Sequence, residues 1–215
     1  MKTNPFEQEA SQYDHWFDTE RGAFVFGQEL ACIQKVVGAR AGKWLEVGVG
    51  PGRFASRLGI AHGIDISPAM AALSRSRGID AHCASGSSIP FPDGAFDGVA
   101  LICTLCFLDS PAATFRECRR VLGEGGALVI GYIPADSPYG VYNAARAKQK
   151  HTYYTHARFY TSAEVMEMGA EDGFHFIKQS GCELPPVPMP EAGEIHTPES
   201  FVAVLFSKRT QEEES

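Results

Sequence analysis

The segment Leu45-Glu46-Val47-Gly48-Val49-Gly50-Pro51-Gly52-Arg53-Phe54 decides the fold that we expect for this chain. An apolar strand runs into three glycines at alternate positions, and the start of an amphipathic helix follows them. Glycine suits such a turn because a side chain would keep a ligand away from the backbone, and because tight strand-to-helix turns use φ values that only glycine adopts at low cost. The segment therefore predicts a nucleotide-binding turn.

Apolar runs on both sides of this turn predict an α/β fold. From residue 43 to residue 133, short apolar runs alternate with helix-like stretches, which is the pattern of βαβ units in a parallel sheet between helix layers. The predicted strands are 44–47, 63–66, 81–84, 98–103, 127–133, 174–182 and 201–206. Helices are predicted over 111–122 and 162–172, and the glycines within 123–126 predict a turn after the first of these. A Pro-rich, hairpin-like connection over 184–198 joins the last two strands.

The length and composition fit a single domain. The 215 residues, of which 44% are apolar and 21% charged, can bury one sizeable core. We divide residues 1–210 into an N-terminal helical cap (1–42), a cofactor-binding core (43–133), a substrate cap (134–160) and a C-terminal helix with strands (161–208). The polar residues 210–215 are predicted to form a disordered tail.

The charge and the cysteine content bear on partners and location. The net charge of −7, without a cluster of Lys and Arg, argues against a duplex nucleic-acid partner, so a small molecule is the default partner. No secretion signal and no run of about 20 apolar residues is evident, so we predict no membrane association and a cytoplasmic location. The six scattered cysteines are predicted to be reduced thiols. The sequence leaves the oligomeric state open.

The spacing of the glycines separates two classes of nucleotide-binding protein. The dinucleotide fingerprint GxGxxG requires a glycine at position 53, where this chain has Arg53, so a nicotinamide-dependent oxidoreductase is the weakest alternative. With Glu46 the turn reads ExGxGxG, and the sequence resembles the class I S-adenosylmethionine-dependent methyltransferases, specifically the methyltransferase type 11 group. The resemblance extends from Leu45 to about Phe206. It includes IPFPDGAFD at 89–97, which is similar to the LPFPDxSFD stretch before the family's fourth strand.

The resemblance implies a fold and a cofactor. The fold is a Rossmann-like, doubly wound, mostly parallel sheet of seven strands, with an antiparallel last strand and helices on both faces. The cofactor is S-adenosylmethionine, and its product is S-adenosylhomocysteine.

A carboxylate after the second predicted strand completes the cofactor hypothesis. Asp65 should lie at the carboxyl end of that strand, beside the glycine turn, where it can accept hydrogen bonds from both vicinal hydroxyls of a ribose. Where the family often has an acid that binds adenine, this chain has Ser85, so either Ser85 or the backbone of Gly86 and Ser87 would hold the base. The resemblance implies a cofactor site formed by Tyr13, Trp16, Glu46, Gly48, Gly50, Gly52, Asp65, Ile66, Gly86, Ser87, Ile102 and Cys103.

Aromatic residues are concentrated in two segments that the resemblance places around the methyl acceptor. Residues 13–17 resemble the YDxW-like opening of many relatives, in which the tyrosine closes over the cofactor; the alternative is that Trp16 and Phe17 pack a helix on the sheet. The ring-rich segment 139–160 indicates a flat or cationic acceptor. The candidate catalytic residues, with a surface or structural role as the alternative, are His15, His151, His156 and Tyr154.

Methyl transfer from a sulfonium makes few demands on catalytic side chains. It is an in-line displacement, so alignment and a dry cleft supply most of the rate, and a general base helps only where the acceptor must lose a proton early. Cys103 and Cys106 form a CxxC, but a structural zinc site needs four ligands, so both are predicted to be buried thiols and no metal is expected. Relatives that methylate arsenic hold it with cysteines, which leaves that alternative open.

The predicted function is methyl transfer from S-adenosylmethionine to a small-molecule acceptor. The alternative is a non-catalytic protein that binds S-adenosylmethionine as a sensor or as a partner of another protein.

Overall fold

The computed structural model describes residues 5–38, 42–148, 153–188 and 195–209. These residues are built around a seven-stranded sheet with the order β3-β2-β1-β4-β5-β7-β6. The strands are β1 (Trp44–Val47), β2 (His62–Asp65), β3 (Asp80–Cys83), β4 (Phe96–Ile102), β5 (Leu122–Tyr132), β6 (Phe174–Cys182) and β7 (Phe201–Lys208). Strands β1 to β5 are parallel, and β7 lies antiparallel between β5 and β6. The predicted Rossmann-like sheet with an antiparallel last strand is confirmed.

Helices cover both faces of this sheet. They are α1 (Pro5–Gln8), α2 (Ala10–Trp16), α3 (Glu20–Val37), α4 (Arg53–Leu58), α5 (Pro68–Ser76), α6 (Pro111–Val121), α7 (Pro138–Ala147) and α8 (Ser162–Glu171), with 3₁₀ turns at Leu105–Phe107 and Tyr153–His156. Side-chain caps begin several of them. The Thr19 hydroxyl accepts a hydrogen bond from the Gly22 amide at 3.0 Å before α3, and Thr161 with Glu164 forms a capping box at α8.

The alternation of side chains along the strands divides the core into two clusters, one on each face of the sheet. Val99 and Leu101 of β4 pack with α6 and α8 on one face, whereas Ala100 and Ile102 pack with α3, α4 and α5 on the other. Both faces of the central strands are therefore buried. A ligand can therefore bind at the carboxyl ends of the parallel strands. The strand order reverses there between β1 and β4, which opens a crevice at that edge of the sheet.

The prediction of a turn after the helix at 111–122 is wrong. Helix α6 ends at Val121 and β5 begins at Leu122, so the glycines lie inside the strand. Leu122 pairs with Phe96 but Ala127 pairs with Gly98, which shifts the register of β4 and β5 across the glycine run. Gly125, with a φ of 64°, has the left-handed conformation found in such irregularities. The run lies within a strand, because pairing with β4 extends β5 back to the end of α6.

Three sequence predictions concern residues outside the described part of the chain. These are His151, the middle of the connection over 184–198, and the tail over 210–215. Among the residues that are described, no helix combines the length and apolar character needed to cross a bilayer.

Candidate active site

The three glycines of the turn between β1 and α4 all have positive φ, for different reasons. Gly48, Gly50 and Gly52 have φ values of 71°, 54° and 83°. A Cβ at Gly48 would lie 2.4 Å from the Thr104 side chain, and one at Gly52 would lie 2.5 Å from the Ser74 hydroxyl. A Cβ at Gly50 would meet no protein atom within 4 Å. Gly48 and Gly52 therefore permit close packing, whereas Gly50 keeps the space above the turn open.

Asp65 lies at the end of β2, beside this turn, as predicted. Its Oδ2 accepts a hydrogen bond from the Gly50 amide and its Oδ1 accepts one from the Ser67 amide, each at 2.8 Å. Burial raises the pKa of this carboxyl, and the two backbone hydrogen bonds partly oppose that shift. Because each carboxylate oxygen can accept more than one hydrogen bond, both oxygens retain capacity for a ligand hydroxyl.

Glu46 on β1 is a buried carboxyl with an unused acceptor. Its side chain is 1% exposed, and its Oε2 has no hydrogen-bond partner among the described residues. Burial raises its pKa well above the ordinary value. A buried polar atom without a partner is costly, so a ligand group that donates a hydrogen bond or carries positive charge would stabilise this site.

A cavity of about 440 Å³, which we call the first cavity, opens over these groups. Ten of the twelve residues predicted to bind the cofactor line it. They are Tyr13, Glu46, Gly48, Gly50, Asp65, Ile66, Gly86, Ser87, Ile102 and Cys103. Ile66 is 62% exposed, which provides an apolar surface beside Asp65. Ser85 also lines this cavity, and its hydroxyl lies 2.9 Å from that of Ser87.

The other two predicted cofactor residues do not line the first cavity. Gly52 faces Ser74 and Ile79, so its part is to let α4 pack closely against the neighbouring helix. Trp16 is exposed and lines a second cavity of about 580 Å³. Its position follows from α2, which directs Tyr13 toward both cavities and Trp16 toward the second alone.

The second cavity adjoins the first along an aromatic wall. The residues that line both cavities are Phe6, Tyr13, Phe17, Phe54, Cys103, Phe107 and Tyr153. The Phe6 ring lies 5.4 Å from the Tyr13 ring and 5.5 Å from the Tyr153 ring, so the N-terminal helices and the segment after α7 meet at this wall. Burial raises the pKa of Tyr13 well above its usual value.

The candidate bases are divided between the two cavities. His15 and Tyr154 line the second cavity, and His156 lines the first. Both of these histidines are exposed, whereas Tyr154 is half-buried. Burial strongly raises the pKa of Tyr154, so its phenol stays protonated at neutral pH.

Arg53, the residue that breaks the dinucleotide fingerprint, ties α4 to α2. Its Nε donates to the Asp14 Oδ1 at 2.7 Å, and its Nη1 donates to the Asp18 Oδ1 at 2.6 Å. Arg77 also donates to Asp14, at 2.8 Å to Oδ2. These bonds fix the helix that carries Tyr13 over the glycine turn, a function that sequence reasoning missed because the partners are far apart in the chain.

Cys103 combines an unusual backbone with a central position. It is the one non-glycine residue with positive φ, 53°, in the described part of the chain, and it lines both cavities. Such strain tends to occur where a site constrains the backbone. Burial raises the thiol pKa of Cys103 well above the usual value and that of Cys106 to about 12. Across the residues that the structure covers, no three His, Cys, Asp or Glu side chains group as metal ligands would.

Glu29 is a second buried carboxyl that sequence reasoning missed. It lies on α3, is 6% exposed and lines the second cavity. Burial raises its pKa to about 8. The available signal was its position in the inward stripe of α3, which also contains Val25, Ile33 and Val36.

These features define the class of the protein. A doubly wound sheet with a glycine turn at its switch point, and a carboxylate on the next strand, is characteristic of a Rossmann-like protein that binds a nucleoside-containing cofactor. Comparison with known proteins gives the family. The sequence profile of the methyltransferase domain family matches residues 45–130.

Relatives cover most of the chain. A protein of Methanocaldococcus jannaschii, described as uncharacterized, is 36% identical over 208 residues, which are 95% of this chain and 99% of that protein. Uncharacterized proteins of Mycobacterium tuberculosis and Mycobacterium bovis are 40% identical over 177 residues, which are 82% of this chain. The match spans 62% of the length of these mycobacterial proteins.

A solved structure agrees with these matches. It is a Thermotoga maritima protein described as a SAM-dependent methyltransferase and possible histamine N-methyltransferase, with a TM-score of 0.83 and 28% identity over 95% of this chain and 98% of that one. The chain belongs to the class I S-adenosylmethionine-dependent methyltransferases. The predicted family and the predicted cofactor are both confirmed.

Proposed function

We propose that this chain transfers a methyl group from S-adenosylmethionine to a small-molecule acceptor in the second cavity. The observation that carries the proposal is the shared wall, because Tyr13 and Cys103 line both cavities and ligands in the two would meet there. When bound, the cofactor supplies a methyl group activated by a positively charged sulfur. The adjoining cavity also favours an enzyme over a non-catalytic S-adenosylmethionine-binding protein, in which a blocked approach to the methyl group would be expected.

The residues of the first cavity fit the parts of this cofactor. The unpartnered Oε2 of Glu46 suits the ammonium group of the amino-acid part. Asp65 retains capacity for the ribose hydroxyls, and the exposed side chain of Ile66 suits the face of the adenine. Ser85, Gly86 and Ser87 all line the cavity. We therefore keep both alternatives for hydrogen bonding to the edge of the adenine, the Ser85 side chain and the backbone of Gly86 and Ser87.

The residues of the second cavity fit a small acceptor held away from water. Aromatic side chains offer few hydrogen bonds to water, and a ligand that displaced water from this cavity would meet stronger electrostatic interactions there. Tyr154 remains protonated and so would donate a hydrogen bond to the acceptor instead of removing its proton. The Thermotoga neighbour, whose description mentions histamine, supports a small-molecule acceptor. The six free cysteines fit a reducing compartment, which supports a cytoplasmic location.

Calorimetric titration with S-adenosylmethionine, S-adenosylhomocysteine and NADH tests the cofactor part of this proposal. Asp65→Asn removes the charge beside the ribose, and Asp80→Asn is the matched control, since Asp80 lies on β3, has a side chain 60% exposed and lines neither cavity. We expect binding of both sulfur compounds and none of NADH. Loss of hydrogen bonds to a charged group, worth about 1.5–3 kcal/mol, should weaken binding at least tenfold in Asp65→Asn only.

Methyl transfer is then measured as release of S-adenosylhomocysteine with pooled small amines, phenols, thiols and carboxylic acids. Release that depends on one pool would support the enzyme. Cofactor binding without release in any pool would favour the sensor alternative, and a folded protein that binds no S-adenosylmethionine would refute the proposal.

A further inference from the structure

The second cavity has one buried carboxyl in an otherwise aromatic surface. Glu29 faces this cavity from α3, and none of the described residues donates a hydrogen bond to its carboxylate. The same cavity is lined by rings that include Tyr13, Trp16 and Tyr154. Burying a carboxyl in such surroundings is costly unless it is paired, so the position calls for a partner that the described residues do not supply.

Among the residues that the structure describes, no cation acts on the Glu29 carboxyl. Its electrostatic neighbours are thiols and phenols from five elements and one connecting loop. They are Cys32 on α3, Cys182 on β6, Tyr13 on α2, Tyr139 on α7, Tyr154 on the 3₁₀ turn at 153–156, and Cys103 after β4. A positive charge on the ligand would therefore complete this site.

The basic residues of the second cavity are at its exposed rim. Arg21 and Arg146 are both exposed, and so is His15. Arg21 donates a hydrogen bond to the Tyr139 hydroxyl at 3.0 Å, and the Arg146 guanidinium lies 5.5 Å from the centre of the Tyr142 ring. Positive charge at the rim and a buried carboxyl deeper in the cavity would orient a ligand with its own cation directed inward.

We propose that the methyl acceptor is a small amine with an apolar or aromatic body, and that Glu29 binds its ammonium group and takes up its proton. This inference rests on the proposed methyl-transfer function and names the acceptor class for the same site. Burial favours the neutral form of both partners, because it raises the pKa of the carboxyl, here to about 8, and lowers the pKa of an ammonium group. Proton transfer from the amine to Glu29 is thereby made easier than in water.

The reaction step balances with Glu29 as the proton acceptor. The ammonium passes one proton to the Glu29 carboxylate and becomes a neutral amine. The nitrogen lone pair then forms a bond to the methyl carbon while the carbon–sulfur bond breaks, and its electron pair remains on the sulfur. The product is the N-methylammonium, and Glu29 releases its proton to solvent before the next turnover.

Ligand binding, measured without turnover, tests this role directly. Phenethylamine, 2-phenylethanol and 3-phenylpropanoate are titrated by calorimetry into protein saturated with S-adenosylhomocysteine. They share an aromatic body and differ in the charge of the end group. The variants are Glu29→Gln and the control Glu20→Gln, which removes the same charge from the exposed first turn of α3. We expect the wild type and Glu20→Gln to bind the amine at least tenfold more tightly than the alcohol.

Glu29→Gln should lose this preference and keep the affinity for S-adenosylhomocysteine, which also shows that the variant is folded. Glu29→Asp keeps the charge on a shorter side chain and should restore part of the preference. In turnover, kcat/KM for an amine should fall as the pH drops below about 8 in the wild type, as Glu29 becomes protonated. In Glu29→Gln the fall should instead begin at the higher pKa of the free amine, because only amine that is already unprotonated can then react.

The failures of the two proposals are distinguishable. A wild-type protein that binds no S-adenosylhomocysteine would remove the methyl-transfer function itself. Binding of S-adenosylhomocysteine with equal affinity for amine and alcohol, or an amine preference unchanged in Glu29→Gln, would overturn the role of Glu29 alone. Tighter binding of the propanoate, lost in Arg21→Gln or Arg146→Gln, would overturn it in favour of an acidic acceptor.

Discussion

Substitution of Gly50 by alanine tests whether the cofactor lies against the glycine turn, and Gly59→Ala is its matched control. Both glycines have positive φ, 54° and 72°, and a Cβ at either would meet no protein atom within 4 Å. Gly50 lines the first cavity, whereas Gly59 ends α4 and lines neither cavity. The two substitutions therefore share a backbone cost and differ in what the added methyl group faces.

The magnitudes follow from this comparison. A left-handed backbone costs a residue with a Cβ about 1–2 kcal/mol, and a protein of this size loses about 2–4 °C of Tm per kcal/mol. Each variant should therefore melt about 2–8 °C below the wild type. A methyl group forced into a filled site costs about 1–3 kcal/mol, so Gly50→Ala alone should bind S-adenosylhomocysteine about 5- to 150-fold more weakly.

Thermal denaturation without ligand and calorimetric titration with S-adenosylhomocysteine separate the two effects. Similar losses of Tm in both variants would show that the backbone cost is shared, as the φ values require. Equal affinity of Gly50→Ala and Gly59→Ala for S-adenosylhomocysteine would refute the contact between the turn and the cofactor.

Three further predictions concern the charges and phenols of the site. Although burial alone would raise the pKa of Asp14, its hydrogen bonds from Arg53 and Arg77 hold that pKa below the ordinary value of 3.8. The resulting stabilisation is present above that value and lost as pH falls through the lower folded pKa. Asp14→Asn should therefore reduce the free energy of unfolding by about 1 kcal/mol at pH 7, and pH-dependent melting should show the difference shrinking in acid. Glu46→Gln should bind S-adenosylhomocysteine at least tenfold more weakly than the wild type does. Its affinity for 5′-methylthioadenosine, which lacks the amino-acid part, should be unchanged. Equal losses of affinity for both ligands in calorimetry would show that Glu46 does not bind the amino-acid part. Tyr154→Phe should lower kcat/KM about 2- to 12-fold, because a hydrogen bond to the acceptor worth about 0.5–1.5 kcal/mol is lost, and should keep the same pH profile, because burial keeps this phenol protonated. A basic limb that disappears from the rate profile would contradict this assignment.

Local patterns predicted most of the fold. The bounds of β1 and β6 agree with the prediction, because apolar runs bounded by glycine and polar residues are local signals. The glycine run at 123–126 misled the prediction, because its conformation depends on how β5 pairs with β4, about 25 residues earlier in the chain.

In the site, too, some features could be predicted from the sequence and others could not. Asp65 and the glycine turn follow consecutive strands, so their meeting at one edge of the sheet was predictable from order alone. Trp16 lies three residues from Tyr13 but lines only the second cavity, because the direction of each side chain on α2 depends on how that helix packs.

The sequence by itself determined the sheet, the cofactor turn and the family, because turn chemistry and strand periodicity act between near neighbours in the chain. Only the tertiary structure decided what Arg53 and Glu29 do. Arg53 binds Asp14, which lies 39 positions earlier in the chain, and Glu29 reaches the cavity because α3 packs against β5, β6 and β7. Both outcomes depend on packing between segments that are distant in the chain. The sequence near a charged residue does not show which distant side chains will surround it in the folded protein.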